Sequence, residues 1–239
     1  MEVLKVFFYL VVYYIAALAF FALLAKLFKL PSEVVRKAFH LTFAFSVYVI
    51  INLSQNWQIA VGVSTLFIAI AYLALSFLER FNIYQGFLAE RSDGEIKNSL
   101  FLANFMMIAL FIVFWGLLGQ KWKVITPIAL MAWGFGDAAA ALVGKSIGKR
   151  KLNLPGVDKN KTLEGTLAMI ITTALAVFLT SLIYKALSWQ FSLVLALIVA
   201  PVAAGVELIS HKGIDTVTVP LSTAASAFLV IFLMGLFGG

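Results

Sequence analysis

Cysteine is missing from all 239 residues, so the chain can form neither a disulfide nor a cysteine-bound metal site. Charged residues are also scarce, at 12% of the chain against about 25% in soluble domains. Hydrophobic residues make up 63%. This balance excludes an ordinary soluble domain and indicates a protein whose main solvent is lipid.

Long apolar runs occupy most of the chain. A membrane-spanning helix needs roughly 20 mostly apolar residues, and only helices or closed barrels satisfy every backbone hydrogen bond in a bilayer. We expect an all-α polytopic membrane protein with about eight transmembrane helices and a single domain over residues 1–239. The first run is too long for the apolar core of a signal peptide, so we expect it to be retained. The predicted spans are 6–24, 34–53, 58–77, 99–118, 124–143, 163–187, 191–209 and 217–236.

Basic residues are distributed unevenly between the loops. Fourteen of the 18 lysines and arginines lie in or beside loops one, three, five and seven. By the positive-inside rule these loops face the cytoplasm, and both termini lie on the outer side. The net charge of +7 does not indicate nucleic acid, because no basic stripe lies on a soluble fold. We therefore expect chemistry at the cytoplasmic face.

Residues 133–165 contain the most informative polar groups. Asp137 lies within an apolar run, where carboxylates are rare and mark functional or paired interior positions. We predict a functional role, with a structural, lysine-paired or capping aspartate as the alternative. The loop that follows combines accessible glycine amides with cations such as Lys145, Lys149 and Lys161, a pattern typical of phosphate binding. Contact with anionic lipid headgroups is the alternative for its exposed cations.

This loop does not match the Walker pattern, which follows a β-strand, and no strand is predicted. Thr162 is expected to cap the sixth span, whose positive N-terminal end would then point at the same anion. Glu164 follows in the first turn and is either a metal ligand or a residue that complements the helix dipole.

Two further clusters add polar groups at the cytoplasmic face. Arg36, Lys37 and His40 begin the second span, where positions 36 and 40 share a helix face and could hold a phosphate between them. Glu207 and Asp215 follow near the last loop, and with Asp137 either could hold Mg²⁺, which prefers oxygen ligands and substrate phosphates. The mixed charges of loop three, including Arg91 and Asp93, form a solvated turn or complete this site.

In this order the motifs resemble those of the CTP-dependent lipid alcohol kinases, which include dolichol kinase, phytol kinase and CTP-dependent diacylglycerol kinase and are distantly similar to phosphatidate cytidylyltransferases. The last motif departs from the family, which commonly has Asp-Asp-Asn where this chain has Ile214, Asp215 and Thr216. The motifs are R-K-A-F-H at 36–40, G-D-A-A-A at 136–140, G-K-S-I-G at 144–148, K-T-L-E-G at 161–165 and E-L-I-S-H-K-G-I-D-T-V-T-V-P-L at 207–221.

The resemblance implies transfer of the γ-phosphoryl group of CTP to the hydroxyl of a long-chain isoprenoid alcohol, with Mg²⁺ as cofactor. The membrane lipid and the nucleotide are then the partners, nucleic acid is not one, and a homodimer is left open. Asp137, Lys161 and His40 are the expected catalytic residues. The expected nucleotide contacts are Arg36, Lys37, Gly136, Gly144, Lys145, Lys149, Thr162 and Gly165, and the expected metal ligands are Asp137, Glu164, Glu207 and Asp215.

Two other functions fit the same residues. A cytidylyltransferase would join CTP to a lipid phosphate and release pyrophosphate from a similar site. A transporter of anionic lipid would use Asp137 and the basic residues as a path. A path needs polar groups across the whole membrane, whereas here they gather on one side, which disfavours transport.

Overall fold

The computed structural model describes residues 1–80, 95–152, 155–210 and 213–236. Within these ranges it has eight helices that are long and apolar enough to cross a membrane, and no β-strand beyond one isolated bridge. The predicted all-α fold is therefore confirmed, and the chain is an integral, multi-pass membrane protein.

The helices divide into two compact units, Met1–Leu117 and Leu118–Gly239, here the N-terminal and C-terminal units. In the N-terminal unit α1 packs on α2 and α3, and α3 packs on α4. The Tyr13 hydroxyl donates to the Thr42 backbone carbonyl at 2.8 Å and so joins α1 to α2. The helices of this unit are α1 (Glu2–Phe28), α2 (Ser32–Leu53), α3 (Trp57–Arg80) and α4 (Glu95–Leu110), which continues as a π-helical segment (Phe111–Leu117).

The C-terminal unit is a ring of four helices. In it α5 packs on both α6 and α8, and α7 packs between α6 and α8. On α5 Gly144 lies beside Thr162 and Gly136 lies beside Thr173, so α5 and α6 run antiparallel. The connections from α6 to α7 and from α7 to α8 are short, so these neighbouring helices are antiparallel as well. The end of α5, the start of α6, the end of α7 and the start of α8 therefore lie at one end of the ring. The helices are α5 (Ile125–Ser146), α6 (Leu163–Ile183), α7 (Trp189–Ile209) and α8 (Asp215–Leu236).

Most predicted span boundaries agree with the helices to within a few residues. The sixth span was predicted to reach residue 187, because the apolar run continues that far, but α6 ends at Ile183. Tyr184 is the C-cap, and Lys185 then adopts a left-handed backbone conformation with φ of 49°. Such a residue stops a helix irrespective of the apolar side chains that follow.

Candidate functional site

A salt bridge between Lys161 and Glu207 lies in the C-terminal unit, where α6 begins and α7 ends. The Lys161 ammonium donates to the Glu207 carboxylate and also to the Glu207 backbone carbonyl, the latter at 2.8 Å. Lys161 immediately precedes α6, and Glu207 lies in the last turn of α7. The last carbonyls of a helix lack partners within it and carry partial negative charge, so a cation is favourable there. Lys161 thus neutralises Glu207 and caps α7.

Asp137 on α5 and Asp215 at the start of α8 lie close enough to Glu207 to repel its carboxylate electrostatically. The Glu207 side chain is only 6% exposed and that of Lys161 is 21% exposed. We call Asp137, Lys161, Glu207 and Asp215 the polar centre. It joins residues from all four helices or their ends, and it brings carboxylates near the salt bridge of Lys161 and Glu207.

The described part of the chain contains no group of three or more His, Asp or Glu residues arranged to hold a metal ion. Mg²⁺ in nucleotide enzymes seldom needs such a cage, because one or two carboxylates, water and the substrate phosphates complete its octahedral shell. The carboxylate oxygens of the polar centre fit a Mg²⁺ ion whose remaining ligands are water and substrate phosphates. The metal roles of Asp137, Glu207 and Asp215 remain predictions.

Glu164 holds the loop that precedes α6. Its carboxylate accepts hydrogen bonds from the backbone amides of Lys149, at 3.2 Å, and of Arg150, at 3.2 and 3.3 Å. A carboxylate in the first turn of a helix is also favoured by the helix dipole. This contact accounts for Glu164 without a metal, and its predicted role as a metal ligand stays untested.

The same loop is closed by backbone pairing, and we call residues 147–162 the basic hairpin. Lys151 and Thr162 form an antiparallel bridge. The Leu152 amide donates to the Lys161 carbonyl at 3.0 Å, and the Leu163 amide donates to the Arg150 carbonyl at 2.9 Å. These bonds fix the backbone of Lys161, so that its side chain can reach the end of α7.

Three glycines predicted to contact the nucleotide lie where α5 meets α6. A Cβ atom at Gly165 would lie 2.8 Å from the Ala140 carbonyl oxygen and 3.2 Å from the Gly144 Cα. A Cβ atom at Gly136 would collide with the Thr173 hydroxyl. Small residues allow membrane helices to approach closely. Close packing therefore explains Gly136, Gly144 and Gly165, while contact of their amides with phosphate remains a prediction.

The predicted cap of α6 is confirmed. Thr162 is the N-cap, and its hydroxyl accepts a hydrogen bond from the Gly165 amide at 3.2 Å. Gly148 packs against this cap, since a Cβ there would lie 2.6 Å from the Thr162 hydroxyl. Lys145 and Lys149 are exposed beside the cap. Their predicted contacts with the nucleotide are untested.

The cluster at the start of α2 belongs to the N-terminal unit. The Arg36 guanidinium bonds the Glu33 carboxylate at 2.5 Å, Lys37 is buried, and His40 is half-buried. Their predicted catalytic and nucleotide-binding roles remain predictions. Two other predicted segments, Arg91 with Asp93 in loop three and residues 211–212 in the last motif, lie outside the described residues.

Two contacts of the site were not predicted from the sequence. Lys161 and Glu207 were predicted separately, as a phosphate contact and a metal ligand, and their direct pairing was missed. The hydroxyls of Ser210 and Thr218 lie 2.6 Å apart and join the end of α7 to the first turn of α8. The first pair is 46 residues apart, so no local spacing indicates it.

One curated protein shares clear similarity with part of the chain. Over 109 residues the chain is 37% identical to a phytol kinase from Synechocystis sp., a match that covers 44% of this chain and 43% of that kinase. The chain thus aligns with less than half the length of this relative. No family model and no solved structure matches. The similarity supports a relationship to phytol and other lipid kinases for the matched part.

Proposed function

We propose that the protein is a kinase that transfers the γ-phosphoryl group of CTP to the hydroxyl of a long-chain isoprenoid alcohol of the phytol, geranylgeraniol or polyprenol type. The partial match to a phytol kinase is the observation that carries this proposal. The eight apolar helices suit a substrate whose tail stays in the bilayer. The polar centre extends from the helix ends that carry Lys161, Glu207 and Asp215 to Asp137 in the interior of α5, so a water-soluble nucleotide and a lipid hydroxyl could meet there.

Lys161 contacts the transferring phosphate in this proposal. Its ammonium is held by Glu207 at the end of α7, yet the side chain keeps 21% exposure. An ammonium group has three donors, and two of them bond the Glu207 carbonyl and carboxylate, so the third can bond a phosphate while Lys161 stays beside Glu207. The exposed Lys145 and Lys149 attract the remaining phosphates from the basic hairpin and its neighbouring helix end.

Mg²⁺ is the proposed cofactor, and when bound it neutralises charge on the phosphates. Asp137 and Asp215 would offer carboxylate oxygens to it, beside the salt bridge of Lys161 and Glu207. Phosphoryl transfer depends mainly on positioning and on charge neutralisation. We favour a metal-binding role for Asp137 over a role as the base that accepts the hydroxyl proton.

We propose that the reaction takes place at the cytoplasmic face and that the lipid enters sideways between helices. The excess of basic residues in the loops on that side supports the orientation. Arg36, Lys37 and His40 are proposed as further nucleotide contacts, because two of them are cations and the imidazole can share a proton.

The test uses purified protein in detergent with Mg²⁺ and γ-labelled CTP or ATP. Geranylgeraniol, phytol, dolichol and diacylglycerol are each offered, and label is followed into the lipid. Label transferred from CTP to one isoprenoid alcohol would support the proposal and name the substrate. Pyrophosphate release with a lipid phosphate, and no label in any alcohol, would identify a cytidylyltransferase instead.

The variant Asp137→Asn tests the proposed metal-binding role of Asp137. It keeps the size of the side chain and removes its charge, so we expect transfer to fall at least 100-fold while the melting temperature changes little. Near-normal activity in this variant would refute the assignment of Asp137.

A further inference from the structure

Asn104, in the middle of the span formed by α4 and its π-helical continuation, has a side chain with unusual surroundings. It is 0% exposed, and neither its amide nitrogen nor its amide oxygen has a hydrogen-bond partner in the described part of the chain. Leaving such a buried polar group unpaired is unfavourable, because the group loses its contact with water and gains no other partner. Polar side chains inside membrane helices usually mark a functional position. The structure therefore poses the question of what Asn104 binds.

The helix face around Asn104 is apolar and adaptable. Met107 and Phe111 lie about one and two turns further along the same face and are almost fully buried. A methionine thioether chain adjusts to irregular shapes, and at Phe111 the helix becomes π-helical over seven residues. Short π-helical stretches inside α-helices occur frequently at functional sites. The Asn104 amide is thus a single polar group beside apolar and aromatic side chains of its own helix.

The two unpaired atoms indicate the chemistry of the ligand. The amide nitrogen is a donor and the oxygen is an acceptor, and a hydroxyl can satisfy both because it accepts and donates. An ester carbonyl only accepts and would leave the Asn104 oxygen unpaired. Asn104 lies roughly 14 Å along the helix from its first residue, by the rise of about 1.5 Å per residue. A charged headgroup is costly at this depth, whereas a single hydroxyl is not.

We propose that Asn104 binds the hydroxyl of a lipid alcohol within the bilayer, with Met107 and Phe111 beside the start of its tail. This inference rests on the proposed function and deepens it, because it gives the protein a residue that selects an alcohol before transfer. Asn104 is a binding residue here and takes no part in the chemical step.

Binding is tested without nucleotide. The melting temperature of the purified protein is measured with geranylgeraniol and with its methyl ether, which can accept but not donate. We expect the alcohol to stabilise the wild type more than the ether does. Asn104→Leu should remove this difference and bind the alcohol roughly 10-fold more weakly, the size expected for one hydrogen bond. Asn98→Leu, the same substitution at an exposed position of α4, should behave as the wild type.

The melting temperature of Asn104→Leu without ligand provides a second test. Because Asn104 has no bond to lose in the described structure, Asn104→Leu should melt at or above the wild-type temperature. If leucine does not fold there, Asn104→Ala removes the amide without adding volume, and its loss of the preference for alcohol over ether is then the test. A folded Asn104→Leu variant that melts below the wild type, or equal stabilisation of the wild type by alcohol and ether, would overturn the inference and indicate a structural or water-bound amide.

Kinetics separate this inference from the proposed function. With geranylgeraniol and CTP, Asn104→Leu should raise KM for the alcohol roughly 10-fold and leave kcat and KM for CTP unchanged. If the wild type phosphorylates no alcohol but still shows the Asn104-dependent preference for alcohol over ether, the kinase proposal fails and the binding site stands. If the wild type is an alcohol kinase and Asn104→Leu keeps its KM, the binding site is refuted.

Discussion

Replacement of Gly165 by alanine tests whether the glycines of the site serve the packing of α5 on α6. The new Cβ would lie 2.8 Å from the Ala140 carbonyl oxygen and 3.2 Å from the Gly144 Cα, so backbone atoms must move. Overpacking of this kind costs about 1–3 kcal/mol. Alanine also favours a helix over glycine by up to about 1 kcal/mol. With the full helix-propensity gain, the net expectation is a loss of about 0–2 kcal/mol.

Gly205→Ala on α7 is the matched control, since nothing lies within 4 Å of a Cβ at that position. It should keep or raise stability, and because the gain from alanine is common to both variants, they should differ by the overpacking cost of about 1–3 kcal/mol. The free energy of unfolding of both is measured in one mixed detergent system by denaturant titration. If Gly165→Ala were as stable as Gly205→Ala, the close packing of α5 on α6 would not require this glycine.

Three further variants test the polar centre and the basic hairpin. Lys161→Met should cost about 3 kcal/mol and abolish transfer, because it leaves the Glu207 carboxylate buried without its ammonium. The double variant Lys161→Met with Glu207→Leu should recover much of that stability but none of the activity; an unfolded double variant would contradict this. Glu164→Gln should weaken the hydrogen bonds from the Lys149 and Arg150 amides and so speed tryptic cleavage after Lys149. Glu2→Gln is the control. Unchanged cleavage in Glu164→Gln would show that Glu164 does not hold the basic hairpin.

The eight helices were predictable because an apolar run of about 20 residues has few alternatives in a bilayer. The end of α6 was not, since residues 184–187 are mostly apolar and only the left-handed backbone at Lys185 ends the helix. Hydropathy measures affinity for lipid and carries little information on backbone conformation. The cap at Thr162 was predictable, because it depends on a threonine bonding an amide three residues away.

The candidate residues were found from rare charge in an apolar chain, which is a local property. Their pairing was not found, because Lys161 meets Glu207 across 46 residues and two helix ends. The glycines were interpreted through their exposed amides, whereas in the structure their missing side chains bring α5 and α6 together. Sequence spacing does not distinguish a glycine that approaches a ligand from one that approaches another helix.

The bond between Lys161 and Glu207 also constrains when the polar centre can form during synthesis. A ribosome adds residues in order, so Lys161 emerges well before the end of α7 exists. Until α7 and the start of α8 are inserted, Lys161 lacks Glu207 and the polar centre lacks Asp215. A chain truncated in loop six would retain the basic hairpin and Asp137 but lack Glu207 and Asp215. The polar centre can therefore assemble only after α7 and the start of α8 have been synthesised.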